Sequence, residues 1–371
     1  MAGVRDVVLI VNFLSKMIEE RIGKGKHVGC DITYVKQRRV MGTADAVNAS
    51  RDQVKREDNF LTVYGDDYYD QMALARFTKK AAESRDMMLA CANVRDPSKF
   101  GSLTIEKGLV RSVDEKIITG ASGPVNAGLY SFNQSIFDAL KRTRRSVRGE
   151  LELTEALEIL LRQGQTIKSF PLSDTEWVGL SYPWDLLDAN IHAMNKSKPS
   201  IMGQVDEGAN VKGSVTIARG AVVKSGSYLE GPVLVGEGAM VGPNSYLRPH
   251  TVLGRNVKVG AGCEVKNSIV MDNTTIPHLS YLGDSVIGEG CALGAGTITA
   301  NLRFDEKTVR TPIKGRPVNS YRKKLGAVLG DRVRTGINVS LLPGVKLGTG
   351  AWIEPGGVVS KDVPSGARFR R

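Results

Sequence analysis

The chain is poor in cysteine and in aromatic residues, and it has no apolar run long enough to cross a membrane as a helix. Four cysteines in 371 residues, Cys30, Cys91, Cys263 and Cys291, form no C-x-x-C pair and are too sparse for a disulfide framework. A reducing, cytoplasmic setting is the expectation. The longest apolar run near the start, Val7–Val11, has the length of a buried strand and no small-residue cleavage site, so neither a signal peptide nor a membrane anchor is expected. Acidic residues are outnumbered by basic ones, 39 against 51, and the net charge of +12 suits anionic ligands from phosphorylated metabolites to nucleotides without choosing among them. The basic run Lys141-Arg-Thr-Arg-Arg-Ser-Val-Arg148 has no interleaved aromatics on which bases could stack and reads as an exposed loop. No nucleic-acid partner is expected. Aromatics are only 6% of the chain but glycines number 41, a balance that suits a glycine-rich repeat, and the length suits two domains.

The repeat is found by counting. From Val205 a step of six meets Val211, Ile217, Val223, Leu229, Val235, Val241, Leu247, Leu253, Val259, Val265 and Met271, all apolar. Small or turn-forming residues recur between them, as in Val235-Gly-Glu-Gly-Ala-Met, which is the hexapeptide pattern of a β-solenoid. Each hexad supplies one short strand and a turn, and three hexads close one coil. The register resumes at Ile287 and Leu293 and again at Leu341, Leu347, Ile353 and Val359. The polar stretches Asp272–Ser280 and Asn301–Lys324 are therefore expected to be excursions, where function concentrates.

Residues 1–196 have another texture. Apolar runs (Val7–Val11, Phe60–Tyr64, Met87–Ala92) alternate with helical patterns (Phe13–Ile22, Leu153–Leu161), which predicts an α/β layer with a largely parallel sheet. The polar stretch Asn195–Ser200 is taken as the boundary, giving domains 1–196 and 201–371.

Several motifs of the first domain stand in the order of a known family. Gln37 followed by Gly42-Thr43-Ala44, the strand end Tyr64-Gly65-Asp66-Asp67, Glu115-Lys116, Asn126-Ala-Gly128 and Tyr182-Pro-Trp-Asp185 resemble those of sugar-1-phosphate nucleotidylyltransferases. The resemblance implies a Rossmann-like fold with Gln37, Gly42 and Thr43 at the nucleotide, Glu115 and Asn126 at the sugar, and Asp66 and Asp185 on Mg²⁺. Two carboxylates on a hard cation are what nucleotidyl transfer needs. The family's G-x-G-x-R-x-x-P…P-K phosphate loop precedes the point that Gly3-Val-Arg-Asp6 resembles. The expectation is an N-terminally truncated domain with little nucleotidyl transfer of its own and low stability.

The second domain resembles the acetyltransferase half of bifunctional enzymes of UDP-N-acetylglucosamine synthesis, most closely the archaeal type. The resemblance rests on Pro277-His-Leu-Ser-Tyr-Leu-Gly-Asp284 followed by Gly294-Ala-Gly-Thr-Ile-Thr-Ala-Asn301. It implies a left-handed parallel β-helix, a homotrimer, and acetyl transfer from acetyl-CoA to glucosamine-1-phosphate, followed in full-length relatives by reaction with UTP. It also implies His278 as general base, Glu264 as the residue that orients it, and Arg248 and Lys266 at the sugar phosphate. Tyr281, Asn301 and Lys307 match further substrate contacts, and Arg310 stands where a lysine is familiar. Position 292 is Ala where bacterial relatives carry Asn. For acetyl-CoA the resemblance points to Gly336, Ile337 and Pro355, with Lys346, Lys361 and Arg368–Arg371 available for its phosphates. Chemistry agrees on the base, because acylating an amine needs a group that titrates near neutrality. A non-catalytic regulatory or scaffold subunit is the alternative reading of the same sequence.

Overall fold

The computed structural model describes residues 3–94, 97, 100–114 and 123–370. Packing divides the chain into two units, Met1–Ser181 and Tyr182–Arg371.

The first unit is an α/β layer whose strands are mostly antiparallel. Asp6–Val11 and Asp31–Lys36 form a separate parallel pair. The larger sheet has the order Asn59–Val63, Gly123–Asn133, Met87–Val94, Ile167–Leu172, Leu109–Asp114, Ser102–Glu106. Among its described residues only Met87–Val94 and Ile167–Leu172 run parallel. This corrects the expected largely parallel sheet. A parallel neighbour requires a long crossover, whereas Ser102–Glu106 and Leu109–Asp114 are joined by the tight turn Lys107-Gly108, which forces antiparallel pairing.

Strand Met87–Val94 is buried on both faces, as its unbroken apolar run requires. Met87, Leu89 and Cys91 point to one cluster with Phe137, Leu153 and Leu157. Met88, Ala90 and Ala92 point to the other, with Phe77 and Phe170. The helix Gln71–Ala82 covers the second face with Ala73, Phe77 and Ala81, four residues apart and hence on one stripe. It starts where the Asp70 carboxylate accepts from Met72 N and Ala73 N at 3.1 and 3.2 Å.

The second unit is a three-faced parallel β-helix with sheets of eight, nine and eight strands, consistent with the left-handed form. Its interior is the aliphatic column the hexads predict, for example Leu229, Leu247, Val265 and Leu282 on the third face, all fully buried. The coil length changes midway. Tyr246 pairs with Glu264, 18 residues on, but Glu264 pairs with Tyr281, only 17 on. The missing residues fall at the corners Lys266-Asn267-Ser268 and Gly283-Asp284-Ser285. There Asn267 (φ 43°) and Asp284 (φ 51°) turn the chain in the left-handed region that Asn and Asp tolerate best among non-glycine residues.

Two expectations are corrected by this shortening. Val270 rather than Met271 fills the interior, and Met271 is exposed. Asp272–Ser280 is no excursion, since Thr275–Ile276 within it pairs in register with the coil below. Asn301–Lys324 does leave the coil, as a hairpin of Arg310–Ile313 and Arg316–Asn319.

The helix Asp185–Asn195 packs with the β-helix, so the division by packing comes before this helix and not at 196–201. Trp184 and Leu187 share a buried cluster with Val286, Val309 and Leu325. Asp188 pairs with Arg322, Asn190 Nδ2 donates to His250 O at 2.8 Å, and His250 Nε2 meets Asn195 Oδ1 at 3.0 Å. The polar stretch Asn195–Ser200 marks the end of a helix and is not the edge of a packed unit.

Candidate active site

On the third face of the β-helix, strands Tyr246–Leu247, Glu264–Lys266 and Tyr281–Gly283 lie side by side in register. Because residues on a strand alternate, the residues flanking each buried aliphatic point outward and form two columns. One column runs Tyr246, Glu264, Tyr281. The other carries Arg248 and Lys266 and ends at Gly283, whose missing side chain leaves room.

These side chains bond to one another. Arg248 Nη1 donates to Glu264 Oε1 at 2.9 Å and the guanidinium lies 5.7 Å from the Tyr246 ring centroid. Tyr246 OH donates to Glu230 Oε2 at 2.5 Å. Lys266 Nζ stands 3.6 Å from Asp284 Oδ2. Asn301 Nδ2 donates to the same Oδ2 at 2.5 Å and to Tyr281 OH at 3.1 Å. Burial, with the Asp284 charge adding to it, pushes the Tyr281 hydroxyl above its usual range, so it remains a neutral donor. Gly283 makes this assembly possible, since a Cβ there would lie 2.4 Å from Tyr281 OH and 2.6 Å from Asn301 Nδ2.

His278 sits at the corner between the second and third faces. Its carbonyl accepts from Ser280 Oγ at 2.8 Å and from Gly296 N at 3.3 Å, while its ring is exposed and meets no protein hydrogen-bond partner among the described residues. The expected bond from Glu264 to His278 is therefore absent among the described residues. Glu264 projects from the strand toward Arg248 on the preceding coil, and His278 lies beyond the strand end. Lys307 is exposed on the loop after Asn301, where its amide donates to Asp305 Oδ1 at 3.3 Å, and Arg310 is exposed at the start of the hairpin.

Gly336 and Pro355 are brought into contact. A Cβ on Gly336 would lie 2.6 Å from Pro355 N, and Gly356 N donates to Ile337 O at 2.8 Å, leaving the Ile337 side chain exposed. Lys346, expected to be available for a phosphate, is already bound to Asp362 at 2.7 Å and Thr311 Oγ1 at 2.6 Å. Arg368 and Arg370 pair with Glu354.

In the first unit, the expected nucleotide and sugar residues are held by the protein's own groups. Gln37 Nε2 donates to Asp45 Oδ2 at 2.7 Å and Gly42 O at 3.3 Å, and Thr43 Oγ1 accepts from Leu153 N at 3.0 Å. Gly42 (φ 120°) lies so close to the segment around Leu151 that a Cβ would meet Leu151 O at 2.4 Å. Asn126 is buried, donating to Tyr130 OH at 2.6 Å and accepting from Gly128 N at 3.1 Å. Glu115 lies outside the described residues. Asp66 is exposed, whereas its neighbour Asp67 is tied to Trp177 Nε1 at 3.1 Å and Leu180 N at 3.3 Å, and burial raises its pKa to about 6. In the other unit, the Asp185 carboxylate accepts from Tyr182 N at 2.8 Å. Among the described residues no group of three or more His, Cys, Asp or Glu is placed to hold a metal ion.

The family model for nucleotidyl transferases matches residues 1–196, and the model for the GMPPB C-terminal domain matches residues 229–342. The bifunctional protein GlmU of Methanocaldococcus jannaschii is 40% identical over 363 residues, 98% of this chain and 86% of the relative. A bifunctional sugar-1-phosphate nucleotidylyltransferase/acetyltransferase of Sulfurisphaera tokodaii is 39% identical, covering 99% of this chain and 89% of the relative. The chain belongs to this bifunctional nucleotidylyltransferase/acetyltransferase family. Membership makes it a member of a transferase family. No helix among the described residues is long and apolar enough to cross a membrane.

Reading the sequence for family motifs missed two participants, Asn267 and Asp284. Asp284 ends the very motif that identified the site, but the motif gives no sign of where its carboxylate points. The signal that could have found both is the shortened spacing between the strands that flank them.

Proposed function

We propose that the β-helix unit transfers the acetyl group of acetyl-CoA to the amine of glucosamine-1-phosphate. The observation that carries this reading is the convergence of Arg248, Lys266, Tyr281 and Asn301 on adjacent coils, beside an exposed histidine with no protein partner for its ring among the described residues. Two cations next to each other suit a phosphate dianion, and Asn301 and Tyr281 supply directional contacts to the sugar. Lys307 and Arg310 add charge from the excursion. Glu264 holds Arg248 in place.

In this reading neutral His278 accepts a proton from the attacking amine as the N–C bond forms. The C–S bond of the thioester breaks, and the thiolate of CoA leaves and takes a proton. The stacked backbone at Gly336, Ile337 and Pro355 is where acetyl-CoA is read to lie. The homotrimer belongs to the same proposal, supported by exposed apolar residues of the β-helix unit that a second copy would cover, among them Leu279, Ile298, Ile337 and Val358.

In full-length relatives the first domain is read as the site where the acetylated sugar phosphate reacts with UTP. Mg²⁺ typically takes one or two protein carboxylates and fills its remaining positions with substrate phosphates and water, which the exposed Asp66 fits better than the engaged Asp67. The ion would neutralise charge on the phosphates.

The test is continuous thiol release from acetyl-CoA with glucosamine-1-phosphate on the purified chain. Substrate-dependent release that His278→Ala abolishes, with the assembly intact, is the expected result. No release from the folded wild type would overturn the reading in favour of a scaffold.

A further inference from the structure

We propose that Asp284 is a positioning residue that sets the polarity of the amino-sugar site, an inference that rests on the acetyl-transfer reading above. Its side chain is almost fully buried, 5% exposed, at one of the two shortened corners, and it faces three donors. Oδ1 accepts from Asn267 Nδ2 at 2.7 Å, and Oδ2 faces Asn301 Nδ2 at 2.5 Å and Lys266 Nζ at 3.6 Å. Main-chain bonds fix the corner, from Asp284 N to Lys266 O at 3.0 Å and from Gly326 N to Asp284 O at 2.9 Å.

The consequence follows from what each group is able to donate. An ionised carboxylate only accepts, so the Asn301 amide must turn its NH₂ toward Asp284. That NH₂ has two hydrogens. One goes to Asp284 and the other to Tyr281 OH, which accepts it and keeps its own hydrogen. What remains for a ligand is the Asn301 Oδ1 acceptor and the Tyr281 O–H donor, side by side. This pair suits a group that both donates and accepts at one atom, as a neutral amine or a hydroxyl does, and gives a quaternary or fully acylated nitrogen no donor with which to meet Asn301. Asp284 also holds Lys266, so the phosphate cation and the polarity of the pair depend on one buried carboxylate.

The prediction is tested by moving the charge. Asn301→Asp puts two carboxylates in contact and is expected to lower kcat/KM for glucosamine-1-phosphate by about thirtyfold or more, chiefly through KM. Asp284→Asn alone, which keeps a residue suited to positive φ, is expected to lower it about tenfold. In the double variant the amide now at position 284 donates to the carboxylate now at position 301, which removes the contact of two charges, while Tyr281 turns its O–H toward that carboxylate and the outward donor is lost; kcat/KM is therefore expected to rise above that of Asn301→Asp, toward the Asp284→Asn level and not to wild type. Losses that multiply, leaving the double variant worse than either single one, would overturn the proposal. The same four proteins compared by thermal unfolding give a readout independent of turnover: Tm falls in Asn301→Asp and rises again in the double variant. If the wild type releases no thiol, the acetyl-transfer reading fails by itself. The Tm comparison then decides on Asp284, and a double variant less stable than both singles refutes it.

Discussion

Gly283→Ala separates the site from the scaffold more cleanly than removal of any functional side chain. Gly283 does not occupy the left-handed region, so an alanine adopts its backbone without strain. The neighbours are the difficulty. The added Cβ would lie 2.4 Å from Tyr281 OH and 2.6 Å from Asn301 Nδ2, while an ordinary contact begins at 3.4 Å. Both polar ends must therefore retreat by about 1 Å, a displacement that can cost on the order of a hundredfold in rate when it misplaces a substrate-positioning group. Stability suffers little, because side-chain ends rather than backbone give way. A cost near 1 kcal/mol would shift Tm by only about 2–4 °C in a unit of this size. The assay is thiol release with glucosamine-1-phosphate, read as kcat/KM, beside thermal unfolding of the same preparation. The expected result is a loss of about 30–100-fold in kcat/KM with Tm lowered by less than about 4 °C. A folded Gly283→Ala protein with wild-type kcat/KM would refute the placement of Tyr281 and Asn301 at the substrate.

Gly42→Ala is the contrasting case, because here φ is 120° and the obstacle is the main chain at Leu151; loss of about 3 kcal/mol or more is expected in the first unit, seen as a lowered Tm of that transition with the β-helix transition unmoved. Leu282→Ala empties a fully buried position of the β-helix and should cost about 2–5 kcal/mol, checked by denaturant unfolding. The hydrogen bond from Arg76 at 2.8 Å, chiefly, holds the Glu176 carboxyl down at about 2. A depressed folded pKa gives stability that is present above the ordinary glutamate value and is lost as pH falls through about 2. Arg76→Ala should therefore weaken the first unit at pH 6 and make little difference near pH 2, and an equal loss at both would argue against the pair.

What was legible in the sequence follows from how each feature is encoded. The β-helix announces itself because every coil repeats the same demand for an aliphatic residue, so an error at one position is outvoted by its neighbours. The hexad step also places Arg248, Glu264 and Lys266 on the outer face of consecutive coils, since their distance from the buried aliphatics Leu247 and Val265 is fixed, whereas Tyr281 lies past the first shortened corner, where the count has slipped. Partnership is not encoded that way. Glu264 has an imidazole beyond its strand end and a guanidinium on the preceding coil, and it bonds the guanidinium, which offers a charge-assisted contact within reach of an outward-facing side chain. The shortened coils stayed hidden for a different reason: Met271 is itself apolar and satisfied the six-step count, although Val270 takes the interior. The second such slip, at Gly283-Asp284-Ser285, carries the most chemistry. A full-length corner would have set residue 284 elsewhere on the turn, whereas the short one buries its carboxylate under Lys266 and Asn301. The departure from the repeat that matters to this site is thus a residue left out of the coil, rather than the polar stretch Asp272–Ser280, which keeps the coil's register.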